Sequence, residues 1–382
     1  MRAGAPALVV VVALAGCGGV IAPPGGRAGV DGSAGADAGD PGAGPDGAPA
    51  RDAPCADDAG ADARAPDAAA DRDATSCVSG TCVAHASCVG GECRCDPGYL
   101  AAGGVCAPLD PGDPAGRTAA EVCDRWRADY PPRAASDWAA GPAECDPGTL
   151  DDAARDDAVR RISLHRWLAG LGPVTRDDPA ADAAAQQCAL MLWRNGQLDH
   201  SPPSTWTCYS AEGAAMAGSS NEAMGYAAPA DAIDGYLCDQ GALASMGHRL
   251  WVLHPSYGRA AVGHADAYDC LHVMDGSGQS PSRPFVAYPS PGPFPAQAAP
   301  AACGNWTFIS STVTSASAAH VRRRSTGADL PVTTVLTSGS FVFGPAVAFR
   351  LDESVVGETY EVTVTGLTGG DVAYAVTIVD CG

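Results

Sequence analysis

Six cysteines fall between residues 77 and 106 at the spacing C-x4-C-x5-C-x4-C-x-C-x10-C, in a chain that holds sixteen in all. So dense a set in so short a stretch constrains folding more than any other feature. A segment of this size buries too little apolar surface to hold itself together, so covalent staples worth about 2–4 kcal/mol each must stand in for a core. Zinc is the competing use for the thiols, but the C-x-C step suits a paired-ligand knuckle poorly. Disulfides in turn need an oxidising compartment. The residues alone leave the pairing open.

The start of the chain fits such a compartment. Met1-Arg2 supplies a minimal positive region, and Ala7 to Ala15 an apolar run too short for a membrane span, which takes about 20 residues. It ends Leu14-Ala15-Gly16-Cys17, which resembles the lipobox of bacterial lipoproteins. The resemblance implies a signal peptide over 1–16 and lipid on Cys17. Gly18 follows, not Asp, so retention at the inner membrane is not signalled and the outer membrane or cell surface is expected. An ordinary secretory signal with an incidental cysteine is the alternative. Residues 17–76 are mostly Ala, Gly, Pro and Asp, with eleven Asp against four Arg between Gly18 and Ser76. Such a segment cannot offset the entropy of ordering and reads as a disordered linker with a reach of roughly 40–45 Å. Cys55 lies within it, either as a free thiol or in an intermolecular bridge. The net charge of −21 argues against nucleic acid as a partner. Lys is absent, which removes Schiff-base and Ser-Lys mechanisms.

The cluster at 77–106, with Cys95-Asp-Pro-Gly-Tyr99, resembles an EGF-like module. The resemblance implies the pairs Cys77–Cys88, Cys82–Cys93 and Cys95–Cys106 and a spacer or partner-binding role. Residues 107–149 read as a connector with a short helix from Ala119 to Tyr130, ended by Pro131-Pro132. Cys123 and Cys145 are candidates to clip it, with bonds elsewhere left open.

From Leu150 the pattern is that of a packed domain. Val159, Ile162, Leu164, Trp167, Leu168 and Leu171 recur at helical spacing up to Gly172-Pro173, and Asp182 to Asn195 makes a second helix. A third runs from Pro229 to about Cys238. Ala260–His264, Asp269–Met274 and Phe285–Tyr288 read as strands. Helices followed by a small antiparallel sheet suggest an α-β-α or α+β sandwich. The stretches SLHRWLAGLGPV, LDHSPP, SSNEAMG, AIDGYL and GHRLWVLHPSYGRAAVG together resemble the CAP superfamily of cysteine-rich secretory and pathogenesis-related proteins, in its bacterial branch, over residues 150–290. The resemblance implies an α-β-α sandwich whose open cleft carries two histidines and two acids. His200 and His248 match the histidines. Ser220 stands where the first glutamate belongs, and Glu222, two residues on, needs a register shift to point inward. The second acid falls at Asp239, and Tyr236 stands where the pattern usually has Trp.

Zinc on His200 and His248, with a carboxylate and water, would lower the water's pKa toward about 7, with Glu222 or Asp239 as general base. Catalytic zinc usually takes three protein ligands, so the set is marginal. Ser220 as a nucleophile requires a histidine within reach. The displaced glutamate favours a binding module. The expectation is therefore a surface-anchored lipoprotein, held to the membrane by its lipid, whose CAP-like domain binds an extracellular ligand or protein partner. The alternative is a metal-assisted hydrolase of envelope glycan or peptide. His254 reads as a turn residue, His264 and His272 as strand-surface residues, and Trp193, Trp206 and Trp251 as core anchors. Sequence proximity suggests the bridges Cys188–Cys208 and Cys238–Cys270.

After the Pro-rich break from Pro289 to Pro300, residues 301–382 carry five strand-like runs: Trp306–Ser310, Ser340–Phe343, Ala346–Leu351, Thr359–Thr365 and Val372–Val379. Short strands at regular spacing suggest an immunoglobulin- or fibronectin-like β-sandwich, with Cys303–Cys381 joining its ends. The fold expected for the whole is multidomain α+β.

Overall fold

The computed structural model describes residues 82–382 apart from 90, 97–98, 103, 133–137, 240–242, 299–302 and 338–344. The expected signal peptide, Cys17, the linker with Cys55, Cys77 and the run Ser340–Phe343 lie outside the described residues. No helix among the described residues is long and apolar enough to cross a membrane.

The cysteine-dense segment forms two antiparallel hairpins. β1 (Ala86–Val89) pairs with β2 (Glu92–Cys95), and β3 (Tyr99–Ala102) with β4 (Val105–Pro108). Cys82–Cys93 and Cys95–Cys106 are bonded as expected. Cys88 is disulfide-bonded too. The His85 ring stacks on Tyr99 at 4.2 Å, joining one hairpin to the other.

Helix α1 (Ala119–Asp129) starts at a capping box, in which Thr118 and Glu121 satisfy each other's backbone N–H groups. It is no mere connector. Its Val122 and Trp126 are buried in the main core, and Trp126 meets the His165 ring edge-on at 5.8 Å.

The next part begins with β5 (Trp138–Ala139), paired with β6 (Thr149–Leu150). Helix α2 (Asp152–Leu168) follows, buried on nearly every side, and ends at Gly170 in the left-handed conformation rather than at Gly172-Pro173. After β7 (Thr175–Arg176), helix α3 (Pro179–Asn195) opens on an Asp178 cap with Pro179 in its first turn and closes on left-handed Gly196. Then come α4 (Ala211–Ala217), β8 (Ser220–Met224), α5 (Pro229–Cys238) and α6 (Gly247–Val252). β9 (Arg259–Ala260), β10 (Val262–Ala265) and β11 (Tyr268–His272) complete this part. The small sheet has the order β10-β11-β8, all antiparallel, with β8 at an edge. On one side, Cys188, Ala189 and Leu192 of α3 and Ala217 meet Ala265 and Cys270. On the other, Ala223, Val262 and Leu271 join α2, α5 and α6 in the main core.

The third strand of the small sheet is therefore β8, not Phe285–Tyr288. That run is β12 (Val286–Tyr288), and it pairs in a different sheet. It joins, after β13 (Gly292–Pro295), two sheets built from β14 (Asn305–Ile309), β15 (Ala318–Arg323), β16 (Asp329–Leu330), β17 (Thr333–Leu336), β18 (Ala346–Arg350), β19 (Thr359–Thr365) and β20 (Val372–Val379). One has the order β12-β14-β18-β17, the other β13-β20-β19-β15-β16, with β13 and β20 parallel. Trp306 touches Phe349 within its own sheet and Tyr360 of the facing one, at 5.9 and 5.8 Å between ring centres. The main core is continuous from α1 through α2 and α6 into these sheets.

Three of the expected cystines are corrected. Cys188 bonds Cys270, Cys238 bonds Cys303 and Cys123 bonds Cys381, replacing Cys188–Cys208, Cys238–Cys270 and Cys303–Cys381, while Cys145, whose partner was left open, bonds Cys208. The reason is packing. α3 lies across β11, which brings Cys188 within 6.0 Å of Cys270 between Cα atoms, and α1 lies against the end of β20, which brings Cys123 within 4.7 Å of Cys381.

Candidate functional site

The four residues expected at the cleft form two histidine–carboxylate pairs along edge strand β8. His200 follows α3 in the LDHSPP turn, and its Nδ1 lies 3.0 Å from the Ala217 carbonyl and 3.6 Å from Glu222 Oε1. A carbonyl only accepts, so Nδ1 carries the proton and Nε2 keeps its lone pair. The His248 Nδ1 lies 3.2 Å from Asp239 Oδ1, which sets the same tautomer. The imidazoles are 36% and 32% exposed, while the Glu222 and Asp239 side chains are 2% and 4% exposed. Each site thus offers a solvent-facing ring backed by a buried acid.

No register shift is needed to aim Glu222. Side chains alternate along a strand, so the two-residue step from Ser220 to Glu222 returns to the same face. Ser220 Oγ donates to the Met216 carbonyl at 2.7 Å, on the α4 side, and Glu222 points there too. Asn221 points the other way, and its Nδ2 donates to the His248 carbonyl at 3.0 Å. Tyr236, in the place expected for Trp, donates its hydroxyl to the Asn221 carbonyl at 3.2 Å, with its ring centre 5.4 Å from that of His248. β8 therefore serves His200 from one face and His248 from the other.

Glu222 is the group whose chemistry is most altered. Burial pushes its carboxyl up to about 8, and the nearby Asp199 carboxylate adds to the rise. The Asp199 backbone amide pulls the other way without completing a hydrogen bond, and neither Glu222 oxygen has a hydrogen-bond partner. Glu222 is thus a proton donor at neutral pH. Among the described residues no three His, Cys, Asp or Glu side chains converge to hold a metal ion, whereas a catalytic zinc usually takes three.

The other histidines lie elsewhere. His254 is in a turn, its Nδ1 accepting from the Ser256 amide. His264 corrects the strand-surface reading. It is 1% exposed and pairs at 2.8 Å with Asp269, its cross-strand partner. His272 is partly buried, 3.9 Å from Asp177.

Sequence reasoning passed over His165. Its Nδ1 meets the Tyr288 hydroxyl and its Nε2 lies 3.1 Å from Asp234, which also takes Arg161 and the Tyr130 hydroxyl. Burial lowers the His165 pKa. Burial would raise Asp234, but His165, Arg161 and Tyr130 outweigh it and hold its carboxyl low. This network, with His165 fully buried and Asp234 partly exposed, joins α1, α2, α5 and β12. The signal was available: a histidine inside an otherwise apolar SLHRWL helix needs a buried polar partner.

Residues 159–274 match the family model of the cysteine-rich secretory protein family, CAP. That stretch includes His200, Glu222, Asp239 and His248, and the match supports the CAP resemblance there. No curated protein and no solved structure matches the chain.

Proposed function

We propose that this is an exported, lipid-anchored protein whose CAP-like domain binds an extracellular ligand or partner at a cleft along β8. The carrying observation is the pair of solvent-facing imidazoles, each with Nδ1 engaged from behind and Nε2 left for a ligand. The cross-linked hairpins support an EGF-like module as spacer, and the two facing sheets support a β-sandwich packed on the CAP-like domain as one α+β body. The disulfides fit an oxidising compartment.

Hydrolysis of envelope glycan or peptide is the second reading, and Glu222 is what favours it. A carboxyl raised to about 8 holds a proton for a leaving group at neutral pH, while His248, oriented by Asp239, would accept one from water.

The test uses the full chain, wild type and the variants His200→Ala and His248→Ala, with peptidoglycan sacculi as the probe and metal content measured alongside. Retention on sacculi without soluble fragments, weakened in both variants, supports binding. Fragments released by the wild type alone, or stoichiometric zinc lost in both variants, overturn it in favour of hydrolysis. The absence of both retention and release excludes the envelope polymer as the ligand.

A further inference from the structure

We infer that Arg249 is a positioning residue through which the two large sheets hold Asp239 against His248. The importance of that pair rests on the cleft reading above. The geometry of the hold stands by itself.

Arg249 follows His248 directly and is fully buried. Its Nε donates to the Leu237 carbonyl at 2.5 Å and its Nη2 to the Cys238 carbonyl at 3.4 Å. Nη1 donates to the carbonyl of Asn305, the first residue of β14, at 2.8 Å. One planar fork therefore ties the two peptide groups just ahead of Asp239 to the sheet beyond. Two more ties run in parallel. Asn305 Nδ2 donates back to the Cys238 carbonyl at 3.3 Å, and Cys238 is bonded to Cys303.

Asp239 needs such a hold. It ends α5 in the left-handed region, at φ 45° and ψ 51°, a conformation that a residue with a side chain seldom keeps without support from its surroundings. That backbone aims the carboxylate at His248 Nδ1 and so selects the tautomer with a bare Nε2. Burial lowers Arg249 to about 10, and the Asp239 carboxylate pulls it back up, so the two groups also attract through space. A lysine has no fork and cannot span three carbonyls.

The tautomer of His248 is the readout, since a strut that merely stabilised the fold would not select it. The experiment takes the full, disulfide-bonded chain labelled with nitrogen-15 in histidine, at a pH above the imidazole titration, as wild type, Arg249→Lys and Arg249→Gln. In the wild type His248 shows the Nδ1–H pattern. In both variants that pattern is lost to the Nε2–H form that neutral imidazole prefers, while His200, held by the Ala217 carbonyl, does not change. If Arg249→Lys does not fold, Arg249→Gln, whose neutral amide can keep a carbonyl bond but not all three, decides alone. An unchanged His248 tautomer with a lowered melting temperature, equal changes at both histidines, or a wild-type His248 already in the Nε2–H form overturns the inference. None of these readings needs a ligand, so failure of the cleft to bind is told apart from failure of the hold.

Discussion

Glu222 carries a proton that an unfolded chain would release. Its carboxyl titrates at about 8 in the fold against an ordinary 4.5, so its contribution to stability is complete below the unfolded value and is lost as pH rises through about 8. Glu222→Gln keeps the shape and removes the titration. Urea melts between pH 5 and pH 9 should show wild-type stability falling, relative to the variant, by on the order of a few kcal/mol. The His264–Asp269 pair tests the opposite case. Burial raises the Asp269 carboxyl although His264 opposes it, and His264→Leu leaves that acid without its partner. The variant should lose about 3–5 kcal/mol at neutral pH in the same melts, and less in acid, where Asp269 is neutral. At this scale the residue types of the site were legible and their aim was not. His200 and His248 each lie beside an acid, Glu222 and Asp239, but Glu222 looked misplaced until strand periodicity put it on the face of Ser220. Arg249 gave no local sign, because its acceptors are backbone carbonyls, which any sequence supplies.

Elements announced by caps and breakers were legible, and those defined by distant partners were not. Pro131-Pro132 and Asn195-Gly196 mark helix ends that depend on neighbours along the chain, whereas α3 starts at Pro179, behind its Asp178 cap and three residues before the expected Asp182. Thr118→Ala should cost about 1 kcal/mol, seen as a lower urea midpoint. β12 read as part of the preceding domain and β13 as part of the Pro-rich break because nothing in Phe285–Pro295 names β14 or β20 as partners. β15 was hidden by His320 and Arg322, polar residues on one face of a strand whose Ala319 and Val321 are buried on the other, and by Arg323 at its end. Gly263, the last residue of the GHRLWVLHPSYGRAAVG stretch, shows how a strand can depend on a helix it never pairs with. A Cβ there would sit 2.0 Å from the Ala185 carbonyl oxygen of α3, so Gly263→Ala must push β10 off the helix. The expected loss is about 3 kcal/mol, measured by thermal unfolding.

For the molecule as a whole, the cystines set the architecture that proximity along the chain could not reveal. Three of the expected bridges gave way to others, because the helices, the small sheet and the two large sheets share a continuous core. Cys123→Ser with Cys381→Ser should lower stability by about 4 kcal/mol and open α1 to limited proteolysis at Arg127, while the Cys145–Cys208 and Cys188–Cys270 bridges still form. The 258-residue span of the Cys123–Cys381 bond also bears on how the protein is made. Synthesis at about 5–20 residues per second leaves the thiol of α1 waiting roughly 13–50 s for its partner. Cys145, Cys188 and Cys208 all emerge meanwhile, and each is a wrong partner within reach. Correct closure therefore falls to whatever reshuffles thiols after export, and a cell lacking such an isomerase should accumulate the chain with Cys123 bonded to its nearer neighbours.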